Sequence, residues 1–383
     1  MSEIGVGRFE DYGDSTRSVS AVAREHAAGQ PMQLGPIFAA PYQLSADEGS
    51  ESDTYARASN PGWRGLESAL AALERADHAL VMGSGMSAIT ATLRSVLVAG
   101  DTVVVPSDGY YQVRLYANER LAPLGITVRE VSTLQMGDAS FVDLLDASPG
   151  RVVVVAETPS NPVLDVVDLR VLADVCHRSG ALLIVDNTTA TPLGQRPLEL
   201  GADVVVASGT KALSGHSDLL MGYVATSDTA VSRQIERERL LSGTVLGPFE
   251  TWLAHRSLGT AGLRFGRQCD NALALAEMLV DHKAVRSVRY PGLRGDPSHA
   301  AASGQMNRFG GLVSVELDSA QAFHSFVEAS ALVTAATSFG GIHTTADRRA
   351  RWGDPVSAGF VRIACGIEDT ADLLADIERA LDA

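Results

Sequence analysis

Cysteine is scarce in this chain, and the three that occur, Cys176, Cys269 and Cys365, lie far apart with no CxxC pair. That spacing argues against a disulfide framework and a zinc cluster, so a reducing, cytoplasmic setting is expected and no metal is. Long apolar runs are missing too: none reaches the roughly 18 to 20 residues that span a bilayer. The opening stretch MSEIGVGRFEDYGDS is acidic and polar rather than signal-like. Basic residues are outnumbered, 31 Lys+Arg against 46 Asp+Glu, which gives a formal charge of −15 and a sequence pI near 5.0. That balance works against binding phosphate backbones or anionic lipid, so neither nucleic acid nor a membrane is expected as a partner. The sequence also has no fixed-period repeat, low-complexity tract or long like-charge block.

What remains is ordinary globular material: 383 residues, 45% hydrophobic and 20% charged. The length suits one large α/β unit or two domains sharing an interface. From Met1 to about Asp53, breakers at Gly29, Pro31, Gly35 and Pro36 suggest an extended arm that wraps a neighbour or its own domain. From about Gly62 helical patterns alternate with β-branched runs, which points to an α/β domain with a largely parallel sheet. Strands are expected at Thr102 to Pro106, Arg151 to Ala156, Ala181 to Val185 and Asp203 to Ala207, each dense enough in apolar residues to be buried on both faces. Asp168 to Arg178 has helical spacing with Gly180 as its stop. Beyond Gly247 and Pro248 come longer helical patterns, a strand-like GGLVSVEL and an amphipathic helix from Asp369 to Leu381, so a domain boundary is placed near 245.

The chemistry concentrates where buried strands end. In VVVASGTKALSGHSDLLMG the strand runs into Ser208, Gly209 and Thr210 and then Lys211. Ligands of open α/β sheets bind at the carboxyl ends of strands. A partly desolvated lysine there has a lowered pKa and can form a Schiff base with a carbonyl. Asp186 ends the run LLIVDNT, where a carboxylate needs a cationic partner, and a protonated pyridine nitrogen is one. In MGSGMSA, Met82 to Ala88, glycines precede a helical pattern and offer amides and a helix N-terminus to a phosphate, with Ser208 and Thr210 as added hydroxyls. Taken singly, each has a plainer reading. Lys211 can be a solvated surface lysine, Asp186 a cap, Ser208 and Thr210 partners of local backbone, and the glycines part of a nicotinamide fingerprint whose GxGxxG spacing is incomplete. Lysine and aspartate together meet two requirements of pyridoxal phosphate chemistry, and the phosphate site is the third.

Those segments, with YARASNPG from Tyr55, SGMSAI from Ser84, ETPSNP from Glu157, VDNTTATPLGQRPLELGAD from Val185, SGTKALSGHSD from Ser208 and VRIACGIED from Val361, resemble the Cys/Met metabolism family of pyridoxal phosphate enzymes. That family includes cystathionine γ-synthase, cystathionine β- and γ-lyases and methionine γ-lyase, and the likeness covers nearly the whole chain. It implies an aminotransferase-like (fold type I) architecture with an N-terminal arm over 1–58. A cofactor-binding large domain with a mostly parallel sheet would span 59–245, and a smaller α+β domain 246–383. It further implies that Lys211 holds the cofactor and shuttles protons, and that Asp186 pairs with the ring nitrogen. Tyr110 would stack on the ring and share in proton transfer. Gly85 and Met86 would bind the phosphate through amides, Ser208 and Thr210 through hydroxyls. Asn161 would contact the ring oxygen or the substrate carboxylate, and Arg362 would grip that carboxylate with Ser338 nearby. Tyr55 and Arg57 would reach a neighbour's cofactor across a dimer interface, with Tyr55 also near the substrate, in a homotetramer built from two dimers.

Three positions depart from the family pattern. Gln112 stands where methionine γ-lyases carry Cys, and Thr337 where many enzymes acting on cystathionine carry Glu. After SFGG the chain continues through His343, Thr344 and the basic ADRRARWGDP, a combination similar to the actinobacterial branch called cystathionine γ-lyase. His343 reads either as a substrate contact or as an exposed loop histidine. The expected activity is γ-elimination from cystathionine or a related sulfur amino acid, giving 2-oxobutyrate, ammonia and a thiol. Methionine γ-lyase activity and γ-replacement with an incoming thiol are the near alternatives. A nicotinamide-dependent oxidoreductase or a non-catalytic cofactor scaffold are the remote ones.

Overall fold

Runs of valine, isoleucine and leucine with few polar residues make strands that must be covered on both faces, and the computed structural model covers them. It describes residues 12–23, 28–29, 31–33, 35–46 and 53–383. Most of the acidic opening stretch lies outside the described residues. The larger sheet contains β1 (His78–Met82), β2 (Thr102–Pro106), β3 (Thr127–Val131), β4 (Val152–Glu157), β5 (Leu182–Asp186), β6 (Val204–Ala207) and β7 (Gly222–Thr226), in the order β1-β7-β6-β5-β4-β2-β3. Only β7 runs against its neighbours; the pairings from β6 through β3 are parallel.

Alternation along β4 shows how the core is divided. Val153 and Val155 join the cluster beneath helix Gly85–Val96, while Val154 and Ala156 face helices Ala139–Asp146 and Leu169–Arg178. Each side chain of this kind, fully buried, contributes about 1.5–3 kcal/mol relative to exposure. Helix Leu169–Arg178 starts where the sequence predicts, with the Asp168 carboxylate accepting from the amides of Arg170 and Val171. The parallel direction brings the carboxyl ends of β4, β5 and β6 to one rim of the sheet, and Lys211 follows β6 by four residues.

A second sheet holds β8 (Val285–Arg289), β9 (Leu312–Leu317), β10 (Thr334–Ala335), β11 (Thr345–Arg348) and β12 (Phe360–Ala364), ordered β10-β11-β12-β9-β8. Helices Ala261–Val280, Ala320–Ala329 and Thr370–Leu381 complete its core. Its central strand β12 carries Arg362, which reaches back to the first sheet's rim, as do Ser314 of β9 and Arg289 of β8.

Within the N-terminal segment expected to be an extended arm, one stretch is helical. Residues Asp14–Ala21 form a helix that lies on the chain's own body. Arg17 donates to the Leu73 carbonyl at 3.0 Å, and the amide of Gly262 donates to Ser18 Oγ at 3.1 Å. The glycine and proline punctuation that suggests an arm begins only after this helix.

Helix Pro61–Glu74 ends in a buried carboxyl that accepts a hydrogen bond from the Tyr223 hydroxyl, while Glu74 Oε2 is buried without a partner. Burial pushes Glu74 from its ordinary 4.5 up to about 7, against the lowering effect of Tyr223. A carboxyl whose folded pKa is raised stabilises fully below its unfolded value, and that contribution is lost as pH rises through about 7. Glu74→Gln therefore flattens the decline in stability between about pH 5 and pH 8, a difference on the order of 3 kcal/mol at most. Thermal melts of both proteins across that range check it; parallel pH profiles contradict it.

Candidate active site

The rim where β4, β5 and β6 end gathers charges that water would otherwise solvate. Asp186 closes β5, and its Oδ1 accepts from the amide and hydroxyl of Thr188 at 3.0 and 2.5 Å. Thr188 Oγ1 in turn accepts from the Ser208 amide at 2.8 Å, tying the end of β5 to the turn that carries Lys211. Burial raises the Asp186 pKa, and the Thr188 hydrogen bonds and the charge of Lys211 oppose that rise. Burial lowers Lys211 to about 8, helped by the positive charges of Arg362 and Arg349 and opposed by Asp186. A lysine lowered to about 8 has roughly a tenth of its amine neutral at pH 7, far more than an ordinary lysine, which is what a nucleophile or proton carrier requires.

Lys211 Nζ donates to Ser338 Oγ at 2.6 Å and lies 5.1 Å from the centre of the Phe339 ring. Ser338 has φ of 74°, a left-handed backbone seldom taken by a residue with a side chain. It is held there from both sides, since its carbonyl accepts from Arg362 Nη2 at 2.6 Å. Arg362, only 2% exposed, also donates from Nη1 to Asn161 Oδ1 at 2.5 Å, while its Nε is buried without a partner. Phe339 lies 5.0 Å from the Arg362 guanidinium as well, so one aromatic ring lies within cation–π range of both cations.

Helix Gly85–Val96 begins beside this cluster. Ser84 caps it through the Ser87 amide at 3.0 Å, which leaves the amides of Gly85 and Met86 as the first two of the helix, without an i−4 carbonyl inside it. A Cβ on Gly85 would lie 2.7 Å from Ser208 Cβ, so glycine is what lets this helix end close onto Ser208. Tyr110, half-buried, stands at the entry to helix Tyr111–Tyr116 and meets Tyr111 edge-on at 5.4 Å. Burial raises its pKa, with Tyr111 adding to the rise.

The expected site residues thus fall into two groups. Lys211, Asp186, Ser208, Gly85, Met86, Ser338, Asn161 and Arg362 lie in or beside the strand rim, as does Tyr110 through its amide. The Thr210 hydroxyl is engaged with Met221, donating to its carbonyl at 3.1 Å and accepting from its amide at 2.9 Å. Tyr55 and Arg57 stay apart on the surface. Tyr55 is 47% exposed, and Arg57 lies over its ring at 5.6 Å while donating to the Leu240 carbonyl. Of the three departures, Thr337 and His343 are exposed and Gln112 is half-buried.

Two features escape the sequence reading. Glu157 ends β4 with its carboxyl buried, Oε2 accepting from the Tyr110 amide at 2.5 Å and Oε1 from the Asn161 amide at 2.8 Å. The signal is present in VVVVAE, which ends in a carboxylate just as LLIVD does. Within the basic stretch ADRRARWGDP, buried Arg349 is paired internally, binding Asp347 at 2.9 Å and Asp354 at 2.7 Å, and Asp347 lies 3.9 Å from Arg362.

Comparison with known proteins follows the same lines. The model of the family described as Cys/Met metabolism PLP-dependent enzyme matches residues 17–382. A protein of Streptomyces coelicolor named "Putative cystathionine gamma-lyase" is 49% identical over 375 residues, covering 97% of this chain and 94% of its own. An L-methionine gamma-lyase of Pseudomonas deceptionensis is 38% identical, covering 98% and 99% respectively. The crystal structure of a cystathionine gamma synthase from Xanthomonas oryzae in complex with cystathionine superposes with a TM-score of 0.90 at 32% identity, covering 96% of this chain and 97% of that one.

The residues present suit pyridoxal phosphate. The rim offers an anion-binding helix end closed against Ser208, a buried carboxylate for a ring cation, and an amine whose pKa is lowered enough to capture an aldehyde. The chain belongs to the Cys/Met metabolism family of pyridoxal phosphate-dependent enzymes, and pyridoxal phosphate is its cofactor.

Proposed function

We propose that this enzyme performs γ-elimination on L-cystathionine or a related sulfur amino acid, releasing 2-oxobutyrate, ammonia and a thiol. The observation that carries the reading is the convergence of Lys211, Asp186 and Arg362 at one buried rim. The cofactor supplies an aldehyde that captures the substrate amine and a ring that draws electrons from the carbon beside it. In this reading Asp186 keeps the ring nitrogen protonated, Tyr110 stacks on the ring, and Gly85, Met86 and Ser208 hold the phosphate.

Arg362 binds the substrate α-carboxylate. Its guanidinium is already oriented by Asn161 Oδ1 and the Ser338 carbonyl, which fixes the Cα–H bond relative to Lys211. Lys211 Nζ, once released as a free amine, takes the Cα proton, and Ser338 Oγ, 2.6 Å from it, helps hold that amine in place. A second proton must leave Cβ before the Cγ–S bond breaks, and Lys211 is the amine within the site to move it. The raised pKa of Tyr110 keeps its hydroxyl protonated, so it can deliver a proton to the departing sulfur.

The relatives named for cystathionine and methionine γ-lyase activity support elimination, whereas the cystathionine gamma synthase neighbour supports γ-replacement as the second reading. Exposed Tyr55 and Arg57 suit a role at a neighbour's cofactor phosphate, in a homotetramer of two dimers. The proposed division is an arm to residue 58, a cofactor domain over 59–245 containing β1–β7, and a C-terminal domain over 246–383 containing β8–β12. A cytoplasmic location is proposed from three buried free cysteines and the acidic pI; among the described residues no helix is long and apolar enough to cross a membrane.

Incubating the cofactor-loaded enzyme with L-cystathionine is expected to release 2-oxobutyrate and cysteine. Pyruvate with homocysteine would contradict γ-cleavage, and thiol transfer to an O-acylhomoserine without keto acid would establish replacement instead. Shared sites are tested by mixing the inactive variants Lys211→Ala and Arg57→Ala and letting subunits exchange. A hybrid dimer then holds one intact site, so activity returns to about a quarter of wild type; no recovery in a mixture shown to exchange subunits contradicts the shared site.

A further inference from the structure

The carboxyl of Glu157 occupies a junction that the proposed mechanism leaves without a task. Its strand is buried to the last residue, and Glu157 itself is 5% exposed. One oxygen accepts from the amide of Tyr110, on the loop that follows β2, and the other from the amide of Asn161, on the loop that follows β4 itself. Space for this carboxyl depends on the neighbouring backbone: a Cβ on Gly109 would lie 2.6 Å from Glu157 Oε2 and 2.7 Å from the Pro106 ring. On the far side, Asn161 Oδ1 accepts from Arg362, so hydrogen bonds run without a break from Tyr110 through Glu157 and Asn161 to Arg362.

We propose that Glu157 is a positioning residue: by holding the backbones of Tyr110 and Asn161 together, it fixes the distance between the ring-stacking side chain and the arginine that binds the substrate carboxylate. This rests on the roles proposed above for Tyr110, Asn161 and Arg362. Both oxygens are used as acceptors, a task for which glutamine supplies only one atom, because an amide nitrogen donates and does not accept. Glu157→Gln keeps shape and volume and leaves one buried amide unpaired. Its partner in strand register is Asp186, and burial together with that neighbouring carboxylate raises the Glu157 pKa.

The test uses Glu157→Gln and Gly109→Ala, the second forcing the carboxyl off the Tyr110 amide while leaving Glu157 in place. Each is compared with wild type in melting temperature, in affinity of the apoprotein for pyridoxal phosphate, in visible circular dichroism of the bound cofactor, and in kcat and KM. Expected are a changed dichroism, reporting a shifted Tyr110 ring, and a KM raised about tenfold with a smaller fall in kcat, the cost of one lost buried hydrogen bond. Should Glu157→Gln fail to fold, Gly109→Ala decides. Wild-type dichroism and KM in the folded variants, or a fall in kcat alone, overturn the inference. A wild-type protein that took up no cofactor would overturn the proposed function, and this inference with it, before either variant was measured.

Discussion

The structure depends on keeping Lys211 and Arg362 out of water within reach of Asp186 and Glu157. Removing such groups from solvent is costly, and mutual attraction offsets the cost only where the remaining donors and acceptors are also satisfied. Ser338 Oγ, Asn161 Oδ1 and the Ser338 carbonyl take up most of these donors, from two loops, one after β4 and one after β10, and leave only Arg362 Nε without a partner. The two sheets are therefore tied through polar contacts at the site: β12 of the second sheet delivers the arginine, and the carboxyl ends of β4, β5 and β6 of the first supply its surroundings. Left-handed Ser338 is where the two meet, and its unusual backbone is balanced by bonds to both cations.

Much of the fold was legible because its central strands are buried on both faces. Continuous apolar runs place Thr102–Pro106 as observed and locate β4, β5 and β6 to within a residue. Helix Leu169–Arg178 was legible through Asp168 and Gly180. The edge strand β3, TVREV, carries charge and exposed positions and gives no such run. The helix Asp14–Ala21 is short and polar, with no side-chain cap, so its support comes from contacts with Leu73 and Gly262 that sequence periodicity does not record.

The placement of the candidate site was legible wherever one residue type has one chemical use at a strand end, as with Lys211 and Asp186, which the structure buries within reach of each other. It was less legible where function lies in backbone. Glu157 acts on two amides, so the residues it serves are distant in sequence and carry no matching side-chain signal. In the ADRRARWGDP segment the pairing is likewise not visible from composition, since Arg349 is neutralised by Asp347 and Asp354 of the same stretch. The Thr210 hydroxyl donates to the Met221 carbonyl and accepts from its amide, a contact across the turn that the sequence pattern does not record.

The central claim, that the buried amine of Lys211 is where the cofactor is held, has an unusually direct test because the sequence contains just two lysines, Lys211 and Lys283. Lys283 is exposed and paired with Asp382 at 2.9 Å, whereas Lys211 is buried and lowered to about 8. Treating the cofactor-loaded protein with borohydride and mapping the peptides by mass spectrometry is predicted to place a single pyridoxyl group on Lys211. A label on Lys283, or none on either lysine of a fully loaded protein, would contradict the account.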